Sequence, residues 1–219
     1  MLLLVGPYAL LAVLAVAARQ LGWKAAGAAK ALPVSYLIAA LALAAATGRA
    51  EAGAVYYLIM AGLACGLAGD VLLLDKGRFF KQGVVAFLGG HVLYIAAFAL
   101  SGLRPTWRML MPIAGYFGLY AIVLFNILLA KHAKYRPLAI AYLGGVLAMT
   151  VSALFADAAN AARGAPSYFF EGAFLFTVSD GVLSYRVFQR RFRFVDVAVL
   201  STYYAAQCVI AANALFLAS

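Results

Sequence analysis

Charge is what this sequence has least of. Only 11% of its 219 residues are Asp, Glu, Lys or Arg, and just seven of those are acidic. With 67% of residues hydrophobic and a mean hydropathy of +0.99, the chain lacks the polar surface that a soluble globule of this size needs. Its solvent is lipid. The apolar runs also lack the dyad alternation of barrel strands. Hydrocarbon obliges every backbone amide to bond within the protein, so helices are the remaining solution. Cysteine is scarce: Cys65 and Cys208 both fall in apolar stretches, without a CxxC pairing, and read as small apolar packers. Histidine is scarcer in effect, because His91 and His132 alone cannot form the three-histidine zinc site of some membrane hydrolases. Two aspartates and one histidine could still hold a divalent ion, but nothing calls for one, and no cofactor is implied.

What is present is a series of apolar runs. A membrane span needs about 20 mostly apolar residues, and on that measure the chain divides into eight, at 2–18, 31–47, 54–74, 83–103, 109–130, 137–158, 168–185 and 195–217. No soluble domain is left over. The first run ends in a small-residue triplet that imitates a cleavage site, yet no basic residue precedes it, so it is read as a retained helix. The fold class expected is an all-α bundle of eight transmembrane helices in one domain, with a faded parallel repeat across 1–108 and 109–219.

The net charge of +10 raises the question of nucleic acid. The basic residues sit in short clusters between apolar runs, however, and form no stripe on a soluble face, so no nucleic-acid partner is expected. Connections one, three, five and seven carry Arg19, Lys24 and Lys30; Lys76, Arg78 and Lys81; Lys131, Lys134 and Arg136; and Arg186, Arg190, Arg191 and Arg193. The even connections hold only Arg49, Arg104, Arg108 and Arg163. Since Lys and Arg of short loops stay on the cytoplasmic side, the odd connections are expected inside and both termini outside. The Ala- and Gly-rich composition hints at a bacterial cytoplasmic membrane.

Against this apolar background the acidic residues sort by depth. Glu51, Asp75 and Asp196 lie in or beside connections, and Asp157 and Glu171 near outer helix ends, where interfacial water is close. Asp70 and Asp180 differ, since each sits six residues before a basic loop residue, Lys76 or Arg186. Six residues at about 1.5 Å each put both carboxylates roughly 9 Å inside the boundary. An ionised Asp at a helix centre costs roughly 2.5–3.5 kcal/mol on insertion scales, so such groups mark pathways or reaction sites more often than they occur incidentally. The plainer alternative is a polar clasp to a Lys, Arg or hydroxyl on a neighbouring helix. Thr177, Asp180 and Ser184 share one helical face as a polar seam, and His91 and Tyr94 share another. Asn126, Tyr142, Tyr203, Tyr204 and Gln207 complete the polar set that could line one cavity. Gly62 and Gly66, at four-residue spacing, read as close helix packing.

Three segments carry a likeness: Gly69 to Leu73 (GDVLL), Phe80 to Tyr94 (FKQGVVAFLGGHVLY) and Phe176 to Leu183 (FTVSDGVL). With Tyr142, Met149 and TYYAAQ at 202–207, they resemble the lysoplasmalogenase, or YhhN-like, family of integral membrane hydrolases. The likeness extends over the third, fourth, sixth, seventh and eighth runs, and the first two contribute only hydrophobicity. It implies hydrolysis of the vinyl ether bond of a lysoplasmalogen to a fatty aldehyde and a glycerophosphoethanolamine or glycerophosphocholine. It maps the family's two functional aspartates onto Asp70 and Asp180, and its His and Tyr onto His91 and Tyr94.

The chemistry fits that mapping. A vinyl ether is hydrolysed by protonation of its β-carbon, giving an oxocarbenium ion that water attacks, so a neutral acid and a nearby anion are required. Two carboxylates in a low-dielectric site resist ionising together, leaving one to donate a proton and the other to stabilise positive charge. The partner expected is a single-chain lysophospholipid among the membrane lipids. Its tail would run between helices, and its phosphate would meet Lys76, Arg78, Lys81 or Arg186, which also serve as topology signals. A second class of function fits the same aspartates: a proton- or cation-coupled transporter of a small molecule. Against it, the helices show no matched pair of Gly/Pro breaks.

Overall fold

A computed structural model describes residues 2–74, 78–128, 136–165, 167–188 and 194–218. Among them run eight α-helices and no strand: α1 (Leu2–Gln20), α2 (Ala26–Ala46), α3 (Ala54–Leu72), α4 (Phe80–Leu100), α5 (Leu110–Leu128), α6 (Arg136–Ala162), α7 (Phe169–Phe188) and α8 (Val195–Phe216). A 3₁₀ turn at Trp107–Met109 leads into α5. Each helix matches one of the eight apolar runs. Five of them, α2, α3, α4, α6 and α8, are long and apolar enough to cross a membrane. Helices α2 and α4 are followed by Gly48 and Gly102, whose φ values of +66° and +99° suit glycine at the turn out of a helix.

The bundle is apolar outside and encloses a set of polar groups in an otherwise apolar core. Leu10, Val13, Val85, Val92, Met111 and Ile122 are exposed, whereas Asp70, His91, Thr150, Thr177, Asp180, Gln207 and Asn213 are buried. Exposed apolar side chains with the polar ones drawn inward suit a molecule whose surroundings are hydrocarbon, and the chain is an integral membrane protein. Helices α3, α4, α6, α7 and α8 close a ring in which each packs on the next and α8 returns to α3. Helices α1 and α2 lie outside the α3–α8 side of this ring, and α5 packs chiefly on α6 and α7. The five ring helices are also the ones that carry the sequence likeness.

Small residues set how closely the ring closes. A Cβ on Gly62 of α3 would overlap the Tyr94 ring of α4, and one on Gly90 would stand 3.1 Å from the Gly62 carbonyl oxygen. Close backbone approach of this kind is how helices gain packing contact in lipid, where apolar burial supplies no drive between them. On the opposite side of the ring, the Ser179 hydroxyl of α7 donates to the Val199 carbonyl of α8 at 3.0 Å.

The helix ends are tied at both faces. Asp196 at the start of α8 pairs with Arg19 at 3.5 Å and with Arg186, drawing the ends of α1 and α7 to one face. At the other face the Glu51 amide donates to the Ala218 carbonyl at 2.7 Å, and Asn160 donates to Ser101 at 2.9 Å and to Ser167 at 2.7 Å. Asp157, expected simply to meet interfacial water, instead accepts the backbone N–H groups of Phe169 and Phe170 at 3.0 and 2.7 Å. It caps the first turn of α7, whose amides have no partner within the helix.

One boundary differs from the sequence reading in a way that matters. Helix α2 begins at Ala26, not near residue 31, so Lys30 belongs to a helix and not to the first connection.

Packing at Gly62 sets a stability expectation. Gly62→Ala should lower the unfolding temperature of the purified protein in detergent, by an overpacking cost of about 1–3 kcal/mol. Gly144→Ala, whose added carbon meets nothing within 4 Å, should leave it unchanged.

Candidate active site

The ring helices deliver the expected polar residues to the bundle interior. Asp70 lies in the last turn of α3, and His91 and Tyr94 lie one turn apart on α4. Tyr142 comes from α6, Thr177 and Asp180 from α7, and Tyr203 and Gln207 from α8. Asp70 and His91 are 2% and 1% exposed and Gln207 is fully buried, so these groups must find partners inside the protein.

Asp70 finds a cation. Its Oδ1 accepts from the Lys30 ammonium at 2.6 Å, across from α3 to α2. The backbone at Lys30 is itself held, because the Tyr204 hydroxyl donates to the Lys30 carbonyl at 2.9 Å and the Tyr8 hydroxyl donates to the Tyr204 carbonyl at 2.6 Å. Helices α1, α2 and α8 thus converge on this ion pair. The other oxygen, Oδ2, has no protein hydrogen bond. The Tyr203 hydroxyl lies beside the Asp70 carboxylate, but the two do not close a well-aligned bond.

Asp180 has a different environment. Its Oδ2 accepts from the Tyr142 hydroxyl at 2.9 Å, a neutral donor. One turn back on α7, Thr177 joins a hydroxyl cluster with Tyr116 of α5 at 2.9 Å and Thr150 of α6 at 3.0 Å. The polar seam therefore continues from Asp180 toward α5, and Ser184 is half-buried one turn beyond on the same face.

Between the two carboxyls stands a run of rings. Tyr203 meets Phe176 edge-on at 5.5 Å, Phe176 meets His91 at 5.0 Å, and His91 meets Tyr142 at 5.0 Å. Both ring nitrogens of His91 are buried without a protein partner. The two carboxylates thus share one aromatic interior but do not bond to each other. Tyr94 donates to Gln207 Oε1 at 2.7 Å, leaving Gln207 Nε2 without a partner.

Lys81 is exposed in the first turn of α4, and Lys76 and the side chain of Asn126 lie outside the described residues. Arg78 is also exposed, over the Phe79 ring at 5.1 Å, and Arg186 is engaged by Asp196. A shallow surface crevice lined by Pro112, Ile113, Tyr116, Thr150, Val151, Leu154 and Phe170 touches the hydroxyl cluster but not the aspartates. Among the described residues no group of three or more His, Cys, Asp or Glu side chains is placed to hold a metal ion.

Sequence reasoning missed Lys30, Tyr116 and Thr150. Lys30 was masked by its place in a basic cluster. The two hydroxyl residues look like ordinary members of apolar helices until α5, α6 and α7 are brought together.

Comparison with known proteins bears on the whole chain. The sequence profile of the YhhN family matches residues 25–214. Over 198 residues the chain is 32% identical to lysoplasmalogenase TMEM86B of Homo sapiens, covering 90% of this chain and 77% of that protein. It is 29% identical over 166 residues to lysoplasmalogenase TMEM86B of Mus musculus, covering 76% of this chain and 67% of that one. The Rattus norvegicus protein of the same name is 30% identical, over 76% of this chain and 65% of that one. No solved structure matches the chain.

Asp70 is buried while the Lys30 side chain keeps 26% of its surface exposed, so loss of Lys30 leaves a buried carboxylate uncompensated. Lys30→Met should therefore destabilise the protein by roughly 3–5 kcal/mol, read as thermal unfolding in detergent. The double variant Lys30→Met/Asp70→Asn should regain most of that loss, whereas independent effects would simply add.

Proposed function

The chain belongs to the YhhN family, and on that premise we propose that it hydrolyses the vinyl ether bond of lysoplasmalogens, with Asp70 and Asp180 as the reacting carboxyls. The products are a fatty aldehyde and a glycerophosphoethanolamine or glycerophosphocholine. The similarity to lysoplasmalogenases over nine-tenths of the chain supports the reaction class.

One observation carries the assignment of roles: the two buried carboxyls have unlike partners. Asp70 is paired with the Lys30 ammonium, which suits a standing anion. Asp180 is held by the Tyr142 phenol, which leaves its other oxygen free to carry and deliver a proton. Asp180 is the general acid that protonates the β-carbon of the vinyl ether. Asp70 is the anion that offsets the positive charge of the oxocarbenium ion and accepts a proton when water adds. His91, Tyr94 and Tyr142 shape the reacting cavity, and Thr177 and Ser184 extend it along α7.

In this reading all eight helices cross the membrane, with both termini outside, and the membrane is the cytoplasmic membrane of a bacterium. The excess of Lys and Arg on the odd connections supports the orientation. The ion pairs of Asp196 with Arg19 and Arg186 agree with it, since they hold the ends of α1 and α7 and the start of α8 at one face.

Purified Asp70→Asn and Asp180→Asn proteins, folded by size exclusion and thermal unfolding, should release aldehyde from lysoplasmenylethanolamine about 10²–10⁴-fold more slowly than the parent. Folded variants with undiminished turnover would overturn the assignment of the two aspartates. Substrate-driven proton flux in liposomes without aldehyde would replace the hydrolase with a transporter.

A further inference from the structure

Buried polar atoms without a protein partner cluster on one face of α3. Asp70 uses Oδ1 for Lys30 and leaves Oδ2 unpaired. The Tyr203 hydroxyl beside it and Gln207 Nε2, one turn further along α8, are unpaired as well. All three residues are at most 5% exposed. Gly66 lies one turn before Asp70 on the same face of α3, and a Cβ there would stand 3.0 Å from Gln207 Nε2 and 3.3 Å from the Tyr203 hydroxyl. Gln207 is not free to turn away, since its Oε1 accepts from Tyr94 at 2.7 Å and so aims Nε2 toward α3. The Tyr203 ring is likewise held edge-on between Phe87 at 6.1 Å and Phe176 at 5.5 Å.

An amide donor, a hydroxyl that can give or take, and a carboxylate acceptor are what a single water molecule needs, since buried water makes about three hydrogen bonds to polar groups otherwise unsatisfied. We propose that Asp70, Tyr203 and Gln207, facing the bare backbone of Gly66, form the binding site of the hydrolytic water. This rests on the vinyl ether reading above and specifies its second step.

The chemistry balances with these groups. Asp180 gives its proton to the β-carbon, the C=C pair forms the new C–H bond, and the α-carbon becomes an oxocarbenium centre. Water held by Gln207 and Tyr203 forms a C–O bond to that α-carbon and passes a proton to Asp70 Oδ2, giving a hemiacetal. The hemiacetal hydroxyl then loses its proton, and the C–O bond to glycerol breaks with the glycerol oxygen taking up a proton. Return of the Asp70 proton to Asp180 through solvent resets the site. The sum is one vinyl ether and one water in, one aldehyde and one alcohol out. Tyr203 and Gln207 are positioning residues, acting through the water.

The test uses the full chain in detergent with lysoplasmenylethanolamine in D₂O, following aldehyde release and the deuterium content of unreacted substrate. Gly66→Ala places a carbon 3.0 Å from Gln207 Nε2 and 3.3 Å from the Tyr203 hydroxyl and so crowds the water from that side, and Tyr203→Phe removes the hydroxyl while keeping the ring, so a folding failure of the first leaves the second to decide. Both should lose about 10²-fold in kcat, on the scale of one positioned catalytic group, with KM within about twofold. Slow capture lets protonation reverse, and rotation about the Cα–Cβ single bond of the longer-lived oxocarbenium ion lets the original β-hydrogen leave in place of the added deuteron, so both should return substrate deuterated at the β-carbon, whereas the parent and Gly144→Ala should not. A raised KM with unchanged kcat would make the cluster a substrate subsite and overturn the proposal, and so would a loss of kcat without deuterium in recovered substrate. If the parent itself releases no aldehyde, the vinyl ether reading fails and the water site fails with it. Aldehyde from the parent with unaffected variants removes the water site alone.

Discussion

A carboxylate inside a bundle with a lipid-facing exterior must take its counter-charge from the bundle itself, and much of the arrangement at the α2–α3–α8 junction follows from the way Asp70 does so. The Lys30 ammonium reaches it at 2.6 Å only because α2 begins at Ala26 and carries Lys30 on a formed helix. Tyr204 and Tyr8 pin that turn of α2 to α8 and α1 by hydroxyl-to-carbonyl bonds. Helices α1 and α2 lie outside the five-helix ring and carry neither Asp70 nor Asp180, yet they supply and anchor the ammonium that pairs with Asp70. Breaking such a pair costs more than the pair is worth, because the cost is a stranded charge. That asymmetry makes the junction a fixed point and not an adjustable contact.

Close packing on the other side of α3 gives the polar interior its shape. Tyr94 can lie against α3 because Gly62 has no side chain, and from that position its hydroxyl sets the direction of Gln207. Phe87 occupies the space that a Cβ on Gly69 would take, and it meets Tyr203 edge-on. Bare backbone at α3 is thus converted into fixed aromatic rings at the centre, and those rings hold the polar atoms at their tips. In lipid this is also the economical way to bring helices together, since apolar burial adds little to their association.

How far the sequence discloses this depends on whether a residue's cost is local or shared. Asp70 and Asp180 stand out in the chain because the penalty of a carboxylate in an apolar helix belongs to each residue alone. His91 and Tyr94 are legible through helical spacing, and the seam through Thr177 and Ser184 likewise. Lys30 is not: it sits in a basic cluster that topology alone explains, and Pro33, three residues on, fits the first turn of a helix as readily as its interior. The sequence pattern therefore leaves the start of α2 open, and moving it by five residues turns a loop charge into the partner of Asp70. Asp157 reads as an interfacial acid until α7 is seen to begin beside it, and Gly66 reads as packing until Tyr203 and Gln207 are placed against it. Each of these depends on which helix stands opposite, a fact that composition and spacing do not contain.

Tyr142 joins the two halves of the site. Its hydroxyl donates to Asp180, its ring lies 5.0 Å from that of His91, and His91 continues through Phe176 to Tyr203 beside Asp70. The two carboxyls are joined through this phenol and the rings beside it and do not form a directly bonded dyad. Separate anchors, Lys30 for one carboxyl and Tyr142 for the other, give the two groups unlike surroundings, and the proposed division into anion and acid rests on that difference.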